Sequence, residues 1–432
     1  MSSERVVIVG GGPAGSILGS YLSIAGVPNV LLEGAVHPRP HVGESLVAST
    51  TRVFREIGFL ETMERGGFVR KYGATWHPPA GAPGRSSSIL FGEIRQPGID
   101  QDYTYHVDRG RFDLALLKHA EGLGTRVCQG VRARKVLFRD GRACGVLADL
   151  AGTLVELPAS LVVDASGRSA LLGRQLRLLR PDPEFDQFAV HAWFENVDRG
   201  PASVADHIHI YFLPIRRGWV WQIPIDASIT SVGIVAERSE FVKAGGSVEE
   251  WFLKGLAASP GIARAMAGAR RINELKREAD YSYCVDRFVG DGFLLVGDAA
   301  RFVDPIFSSG VSVAAEGARF ASGVVRDALA AGDVSRERLL PYERHLRSGV
   351  DVWYEFITLY YQLLPLFTYF IEHKEHRLEI LRLLQGEVYD RDEVRVLAEM
   401  RSFIAEVKAN GDNLLAGSLE ARPEVVWHEE AS

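Results

Sequence analysis

The stretch "RVVIVGGGPAGSILGSYLSIAGVPNVLLEG", residues 5–34, sets the expected architecture of this 432-residue chain. Its apolar run at 6–9 is typical of a buried parallel strand. A glycine-rich turn, a helix and a second strand ending in Glu33 follow within about 30 residues, the context that supports a G-x-G-x-x-G dinucleotide fingerprint. We expect these turn residues to contact the dinucleotide: Gly10, Gly12, Pro13, Ala14 and Gly15.

Each part of this motif has a physical role in holding a pyrophosphate. Glycines let the backbone turn tightly and approach the phosphates, and the helix N-terminus offers amide donors and the positive end of a dipole. Glu33 can accept hydrogen bonds from a ribose diol. The motif predicts a dinucleotide cofactor, and by itself it does not distinguish NAD from FAD.

The composition is that of an ordinary globular protein, with 47% hydrophobic and 24% charged residues. A chain of this length has room for two domains or one elaborated domain. The net charge of −6 without a lysine-arginine run argues against nucleic-acid binding. The scattered Cys128, Cys144 and Cys284 predict a reducing, cytoplasmic compartment and no metal centre.

No secretory signal or membrane span is expected. A strand-like segment begins at Arg5, which leaves no room for a basic region and a longer apolar one. The most apolar long window, 353–371, contains Glu355, Gln362 and Pro365, whereas a spanning helix needs about 20 mostly apolar residues. We interpret this window as a helix pair or kinked helix lining an interior, with a membrane-surface helix as the alternative.

Two later segments favour FAD over NAD. "LVVDASGRSALLG" (161–173) places Asp164 after an apolar strand, and "FLLVGDAARFVDPIFSSGVSVAAEGA" (293–318) places Gly297 and Asp298 after another. With the N-terminal motif they resemble the FAD-dependent hydroxylases and their relatives, over about residues 5 to 330.

This resemblance implies roles for several residues. It implies that Asp298 hydrogen-bonds the ribityl chain of FAD and that Arg109, in "VDRGRFDLALLKHA", contacts the flavin. The loop containing Asp304 and Pro305 is expected under the flavin ring, followed by the N-terminus of a helix. Asp164, Gly297 and Ser45 are also expected at the cofactor.

The segment "GWVWQIP" (218–224) narrows the class. Its spacing puts Trp219 and Trp221 on one face of a predicted strand, where two large indoles either fill a core or form a wall. The segment resembles the W-x-W-x-I-P motif of the flavin-dependent halogenases, which it matches at Trp219, Trp221, Ile223 and Pro224.

Two further features support this resemblance. "FVRKYGATW" (68–76) places Lys71 among apolar and aromatic neighbours, where the family has one essential lysine, and "HVGESL" (41–46) matches a typical loop with Glu44. Apolar surroundings lower the pKa of a lysine, because burial destabilises the ammonium. Taken alone, Lys71 could be a solvated surface lysine and Glu44 could simply cap or solvate a loop. With the flavin scaffold, Glu44 is a candidate catalytic residue that acts near the flavin or relays a proton.

The resemblance implies a reaction in which reduced FAD and O2 oxidise chloride, with bromide as the alternative halide, to a hypohalous acid. This oxidant reaches Lys71, which either forms a chloramine or polarises the Cl–O bond as a hydrogen-bond donor, and an electron-rich ring is then halogenated. Trp219 and Trp221 keep the organic substrate away from the flavin. The amides of Ser309 and Gly310, at a helix start, are expected to bind the halide. No second dinucleotide fingerprint is visible, so a separate flavin reductase must supply reduced FAD.

One position distinguishes branches of the family. Halogenases of free tryptophan have a glutamate before the serine of the "DPIFSSGV" loop, whereas this chain has Phe307 before Ser308. The loop resembles instead the branch that acts on phenols or pyrroles, often tethered to an acyl or peptidyl carrier protein. The aromatic-rich region 350–372 agrees with that branch, and the base for the arenium intermediate is left unassigned.

Other interpretations remain open at this stage. The main alternative is an FAD-dependent aromatic or polyketide monooxygenase, and the others are an electron-transfer or prenyl-reductase flavoprotein and a flavin sensor. His207 and His209 alternate along a strand without a convincing third metal ligand, so we interpret them as structural. Ser308 and Ser309 lack the G-x-S-x-G setting of a nucleophile.

The expected fold is α/β, a doubly wound three-layer ββα module of the aromatic-hydroxylase type. Residues 1–75, 100–180 and 275–330 are predicted to build the FAD module, 76–99 and 181–274 an antiparallel substrate-side sheet, and 331–432 a helical C-terminal cap. We expect residues 421–432 to be loosely held.

Overall fold

The computed structural model describes residues 6–79, 86–182, 184–278, 282–389 and 394–409. The expectation for 421–432 lies outside these residues. In the described part the strands, numbered in chain order from β1 to β21, are Val6–Val9, Asn29–Glu33, Val69–Lys71, Gly73–His77, Ser87–Leu90, Thr104–His106, Arg126–Gln129, Val131–Arg139, Arg142–Leu150, Thr153–Pro158, Leu161–Asp164, Leu179–Pro181, Gln187–Glu195, Ile208–Phe212, Trp219–Pro224, Ile229–Glu237, Arg270–Arg271, Lys276–Glu278, Tyr283–Val285, Val289–Gly290 and Phe293–Leu295.

The helices connect and cover these strands. In chain order the α-helices of the described part, α1 to α13, are Pro13–Ile24, Ser49–Glu56, Leu60–Arg65, Arg109–Leu123, Leu171–Gln175, Arg238–Ala244, Val248–Ala257, Pro260–Ala265, Ser309–Ala330, Arg336–Leu363, Phe367–Glu372, Lys374–Leu384 and Arg395–Ala409. Short 3-10 helices lie at Phe91–Glu93, Gly167–Ser169, Gly297–Ala299 and Leu364–Leu366.

A six-stranded sheet in the order β20-β21-β11-β1-β2-β7 carries the N-terminal motif. Its strands are parallel except β20, which is antiparallel to β21. Strand β1 lies between β2 and β11, with Val6 opposite Asn29 on β2 and Leu161 on β11. Every residue of β1 is buried, as expected for a strand covered on both faces. Helix α1 begins at Pro13, which suits the first helical position because its missing N–H would have no partner there.

A second, eight-stranded sheet contains the tryptophan strand β15. Its order is β17-β13-β16-β15-β14-β4-β5, with β18 also on β13. The expected antiparallel pairing of β14, β15 and β16 is confirmed, whereas β4 pairs with β14 in parallel. Because side chains alternate along a strand, Trp219 and Trp221 face the main core while Val220 enters a separate core with helix α7.

Smaller sheets complete the strand layers. Strands β8, β9 and β10 form a three-stranded antiparallel sheet, and β3 pairs with β6 in a two-stranded ribbon. The ribbon places Lys71 opposite Thr104 and Val69 opposite His106. These elements agree with the predicted mixed α/β class, and the division of the chain into a cofactor module and a substrate-side layer remains our proposal.

The C-terminal helices pack on the rest of the protein rather than extending from it. Helix α10 is followed by a 3-10 turn and α11, so the predicted helix pair or kinked helix over 353–371 is confirmed, in the form of a helix pair. Beyond α12, the carbonyl oxygen of Gln385 accepts from the amide of Ser49, and its side-chain amide donates to the carbonyl of Phe91, each at 2.9 Å. In the described part of the chain, no helix is both long and apolar enough to cross a bilayer.

Candidate active site

A cavity of about 940 Å³ opens at the carboxyl ends of β1, β2 and β11, and we refer to it as the main cavity. This is the edge of an open α/β sheet where ligands bind, and the volume lies in the upper part of the range for ligand pockets. Of the predicted site residues, these line it: Gly10, Gly12, Pro13, Ala14, Glu33, Glu44, Ser45, Arg109, Trp219, Trp221, Asp298, Pro305 and Gly310.

The glycine-rich turn fits the close approach of a dinucleotide. A Cβ on Gly12 would meet nothing nearer than the Arg39 guanidinium at 3.8 Å, so the backbone there is open toward the main cavity. Gly15 lies behind the wall, where a Cβ would come 2.0 Å from the carbonyl oxygen of Gly10. Gly15 therefore permits the helix to pack closely on the strand, which is the role of the third glycine in such a motif.

Glu33 presents a charged carboxylate at the end of β2. Its Oε2 accepts from the amide of Gly11 at 2.7 Å and its Oε1 from the amide of Ala35 at 2.8 Å. Burial acts to raise its pKa, but the nearby imidazole of His37, 3.9 Å away, and the two amide hydrogen bonds outweigh it and lower the pKa to about 2. An ionised carboxylate retains further acceptor capacity, which suits a ribose diol.

Arg109 fixes the loop that carries Glu44. Its Nη1 donates to the carbonyl oxygen of Val42 at 2.7 Å, and its Nε and Nη2 form a two-pronged ion pair with Asp113 at 2.8 and 3.0 Å. The side chain is buried in the wall of the main cavity. Arg109 therefore shapes the loop as well as facing the predicted flavin site.

Glu44 is buried and held by groups of the eight-stranded sheet. Trp193 Nε1 donates to its Oε1 at 2.6 Å, and the hydroxyl of Ser231 is near enough to stabilise the carboxylate. Ser231 in turn accepts from Trp221 Nε1 at 3.1 Å. Burial raises the pKa of Glu44 to about 7, so the group can hold or release a proton near neutral pH.

Two predicted acidic residues occupy different positions relative to the main cavity. Asp164 lies behind the wall, where its carboxylate accepts from the amides of Ser166 at 3.0 Å and Leu172 at 2.7 Å. It therefore shapes the turn, while Ser166 lines the cavity in its place. Asp298 lies in the wall, and burial raises its pKa to about 6. Gly297 lies behind it, packed against Ala14.

Helix α9 begins at Ser309, as predicted, and its N-terminus faces the main cavity. The cap residue Ser308 gives the helix no side-chain hydrogen bond, and Ser308 and Gly310 line the cavity. The first amides of a helix have no partner within it and attract anions. Ser309 itself is buried and does not line the main cavity, so its predicted contact with the halide depends on its place in the first turn of the helix.

The loop before this helix is tied to the C-terminal region. Pro305 lines the main cavity, whereas Asp304 lies behind it. Asp304 Oδ1 accepts from the amide of Ile306 at 2.9 Å and from the hydroxyl of Tyr361 at 3.0 Å. Tyr361 also accepts from Trp219 Nε1 at 2.9 Å, so one phenol joins helix α10, the loop and the tryptophan strand.

The two tryptophans form part of the cavity wall. Their ring centroids are 6.0 Å apart at an interplanar angle of 50°, and both rings are buried. Gly233 lies directly opposite Trp221, and a Cβ there would come 2.2 Å from the indole. The sheet therefore leaves room for this indole by omitting a side chain on the neighbouring strand.

Lys71 is buried outside the main cavity. Its Nζ donates to the carbonyl oxygen of Leu46 at 2.9 Å and lies 5.3 Å from the ring centre of Phe91. Burial lowers the pKa of Lys71 to about 7, as the apolar sequence context predicted. Strand β4, which begins two residues later, is separated from the tryptophan strand by β14 alone.

Phe307 occupies the position that distinguishes the branches. It stacks on Phe356 with centroids 4.5 Å apart and contacts Tyr360 edge to face at 4.8 Å. An aromatic cluster from α10 and α11 therefore fills this region. Among the described residues, no group of three or more His, Cys, Asp or Glu side chains is arranged to hold a metal ion.

Sequence reasoning missed Trp193, Ser231 and Tyr361. Trp193 and Ser231 lie opposite each other on β13 and β16, far from Glu44 in sequence. Tyr361 was part of the aromatic-rich region, but no local spacing indicated its hydrogen bonds to Trp219 and Asp304. Only the sheet register and helix packing bring these groups together.

Comparison with known proteins agrees with this geometry. The model of the tryptophan halogenase family matches residues 5–101 and 91–365. A 1H-pyrrole-2-carbonyl-(peptidyl-carrier protein) chlorinase from Pseudomonas fluorescens is 46% identical over 440 residues, which cover 98% of this chain and 95% of that protein.

Two further proteins extend the comparison. A 1H-pyrrole-2-carbonyl-(peptidyl-carrier protein) brominase from Pseudoalteromonas luteoviolacea is 30% identical, covering 94% of this chain and 97% of that protein. The solved structure of the flavin-dependent brominase Bmp2 superposes with a TM-score of 0.85 and 27% identity, covering 94% of this chain and 98% of that one.

Proposed function

Given that this chain belongs to the tryptophan halogenase family of flavin-dependent enzymes, we propose that it chlorinates a pyrrole-2-carbonyl group carried by a peptidyl carrier protein. The observation that carries this substrate is the 46% identity, over 98% of the chain, to a chlorinase of pyrrole-2-carbonyl groups on a peptidyl carrier protein. Chloride is proposed over bromide because the more distant relative, at 30%, is the brominase.

The residues of the main cavity suit FAD. Gly10 and Gly12 would lie against the pyrophosphate, Glu33 would bind the ribose, and Asp298 would bond the ribityl chain. When bound, reduced FAD would give two electrons to O2, and oxygen at the peroxide level would then oxidise the halide to hypohalous acid. We propose that a separate flavin reductase delivers the reduced cofactor, since one dinucleotide fingerprint is present in the sequence.

The halide would sit at the start of helix α9. The amides of Ser309 and Gly310 point outward from the helix N-terminus, where they can donate hydrogen bonds to an anion. The helix dipole adds to the attraction because its positive end lies there. Gly310 adds no side chain between these amides and the main cavity.

Trp219 and Trp221 would keep the pyrrole ring out of the main cavity. Both indoles are anchored by hydrogen bonds, Trp219 to Tyr361 and Trp221 to Ser231, so neither can rotate without losing a buried bond. A buried donor left unpaired costs about 1–3 kcal/mol. The wall would admit a molecule as small as hypochlorous acid and exclude the organic substrate.

Lys71 would orient hypochlorous acid toward the pyrrole. With a pKa of about 7, both the ammonium and the free amine are present near neutral pH. The ammonium can donate to the oxygen of hypochlorous acid and polarise the Cl–O bond. General-acid help of this kind contributes typically about 10²–10⁴-fold.

The matching proteins are halogenases, which disfavours the alternative of a hydroxylase. The proposed substrate is tested by incubating the protein with a flavin reductase, NADH, O2 and chloride. Pyrrole-2-carbonyl carrier protein, free pyrrole-2-carboxylate and free tryptophan are supplied in parallel and analysed by mass spectrometry. We expect chlorine only on the carrier-bound pyrrole.

A Lys71→Ala variant provides the control for this assay. It should bind FAD and consume NADH with the reductase as the wild type does, yet give no chlorinated carrier. Chloride-independent addition of oxygen to the pyrrole would overturn the halogenase assignment. Chlorination of free tryptophan alone would overturn the proposed substrate.

A further inference from the structure

A buried imidazole lies beside Lys71, on the same face of the β3–β6 ribbon. Lys71 pairs with Thr104, and His106 follows two residues later, so both side chains project from one side of the two strands. Lys71 is 3% exposed and His106 is fully buried. Burial and the charge of Lys71 hold the pKa of His106 well below its usual range, so the two groups are within electrostatic reach.

The hydrogen bond of His106 fixes its tautomer. Its Nε2 lies 3.0 Å from the carbonyl oxygen of Asp206, which can only accept, so this nitrogen carries the proton. Nδ1 of the neutral ring therefore has a free lone pair. This nitrogen is buried and has no hydrogen-bond partner in the described residues. A buried polar atom without a partner is energetically unfavourable unless a ligand satisfies it.

Neighbouring histidines are engaged differently. His209 uses both nitrogens, Nδ1 with Nε2 of His77 and Nε2 with the carbonyl of Val204, each at 2.9 Å. His207 bonds Thr75 through Nδ1 at 2.9 Å. Its Nε2 is covered by the backbone of Gly73, where a Cβ would come within 2.8 Å, and lies 3.9 Å from the carboxylate of Asp206. His106 and His207 thus each have one buried ring nitrogen without a hydrogen-bond partner among the described residues, and His106 is the one that shares the face of the β3–β6 ribbon with Lys71.

Two other positions could have supplied a carboxylate as the base. Glu44 lies in the wall of the main cavity and is held by Trp193 and Ser231. The position where the tryptophan-specific branch has a glutamate carries Phe307 in this chain. The chlorination proposed above produces an arenium ion, and neither of these positions offers a base beside Lys71.

We propose that His106 accepts the ring proton of the arenium intermediate formed at Lys71, a role that rests on the proposed function. The C–Cl bond forms as the Cl–O bond of hypochlorous acid breaks, and the Lys71 ammonium protonates the departing oxygen to give water. The electrons of the ring C–H bond return to the pyrrole while the proton goes to Nδ1. The imidazolium then returns this proton to the neutral Lys71 amine, so hypochlorous acid and the pyrrole yield chloropyrrole and water.

A weak base is sufficient for this step. An arenium ion is a far stronger acid than an imidazolium, so a histidine with a lowered pKa can still take the proton. The same lowering keeps His106 neutral at pH 7, which makes its lone pair available in every turnover. The hydrogen bond to Asp206 would hold the ring with Nδ1 toward the substrate.

The test uses His106→Gln, whose amide can still donate to the carbonyl of Asp206 but is not a base. We expect chlorination of the carrier-bound pyrrole to fall about 10²-fold, the low end of general-base contributions. Deuterium at the reacting carbon should slow the variant while leaving the wild type unaffected, because proton removal becomes rate-limiting. Release of free hypochlorous acid to the trap monochlorodimedone should be unchanged.

His209→Gln is the matched control, because it alters a buried histidine of the same cluster whose nitrogens are both engaged. It should show no isotope effect, whatever it does to stability. If His106→Gln does not fold, His106→Asn is measured in its place, with the same isotope effect expected. An active His106→Gln variant without an isotope effect would overturn the role of His106. A wild-type enzyme that releases hypochlorous acid to monochlorodimedone but chlorinates no carrier-bound pyrrole would overturn the proposed substrate instead.

Discussion

Lys71 donates a hydrogen bond of 2.9 Å to the carbonyl oxygen of Leu46, two residues after Glu44 in the wall of the main cavity. A single short segment, 44–46, therefore contacts the predicted flavin site at one end and the buried lysine at the other. Ser45, between them, lines the cavity and pairs through its backbone with His106. Both proposed chemical groups are thus positioned by the same piece of backbone.

The lowered pKa of Lys71 predicts a pH-dependent stability. Between pH 7 and about 10 the unfolded chain holds a proton on this lysine that the folded chain lacks, so wild-type stability gains from Lys71 as the pH rises. Lys71→Met removes this contribution. The free energy of unfolding of the wild type should therefore rise relative to that of the variant by up to about 1.4 kcal/mol per pH unit. Urea denaturation at several pH values measures it, with the exposed Lys118→Met as control. A difference independent of pH would contradict the buried, neutral lysine.

Glu44 predicts the opposite slope in a more acidic window. Its raised pKa means that, between about pH 4.5 and 7, the folded chain holds a proton that the unfolded chain has released. Wild-type stability therefore falls through this window as the pH rises, by up to about 1.4 kcal/mol per pH unit. Glu44→Gln keeps a neutral group at the site, so its free energy of unfolding should rise relative to that of the wild type as the pH increases over the same range. The exposed Glu61→Gln should show no such gain when both are unfolded in urea.

Gly310→Ala separates halide binding from folding. A Cβ at this position would meet Phe302 at 3.8 Å and Asp298 at 4.0 Å, ordinary contact distances, so the helix should fold. Replacing a helical glycine by alanine stabilises by up to about 1 kcal/mol. The methyl group would crowd the proposed halide niche, and we expect a higher KM for chloride. Gly323→Ala, on the same helix with open space around it, should gain stability and leave this KM unchanged.

Gly233→Ala tests the wall. Its Cβ would come 2.2 Å from the Trp221 indole, so the ring must move or the strands must separate. Such overpacking costs typically about 1–3 kcal/mol. We expect lower thermal stability and less chlorinated product per NADH consumed, because a displaced indole also loses its bond to Ser231. If the variant is destabilised but its product yield per NADH is unchanged, Trp221 only fills the core and does not separate the substrate from the flavin site.

Local patterns predicted the elements that depend on local forces. The glycine turn, helix and second strand follow from residues 5–34, and the shared face of Trp219 and Trp221 follows from their spacing on a strand. The burial of Lys71 followed from its apolar neighbours, and its family role from resemblance. These features need little information about the rest of the chain.

Features that depend on sequence-distant contacts were not predicted. The acceptor of Trp193 is Glu44, 149 residues away, and the partner of Trp219 is Tyr361, 142 residues away. The carboxylate of Asp164 serves local amides because the turn after β11 brings Ser166 and Leu172 onto it, which residue type alone does not reveal. Sheet register and helix packing decide these contacts.

The strand order of the six-stranded sheet has a consequence for synthesis on the ribosome. Strand β1 pairs with β11, and β11 pairs on its other side with β21. The amide of Ser49 likewise donates to the carbonyl oxygen of Gln385, far along the chain. The nascent N-terminal motif therefore emerges nearly 300 residues before the sheet can be completed, and long-range parallel pairing is slow to form. Ribosome-bound chains that end before Phe293 should stay protease-sensitive and bind no FAD, and early protection of residues 6–33 would contradict this order.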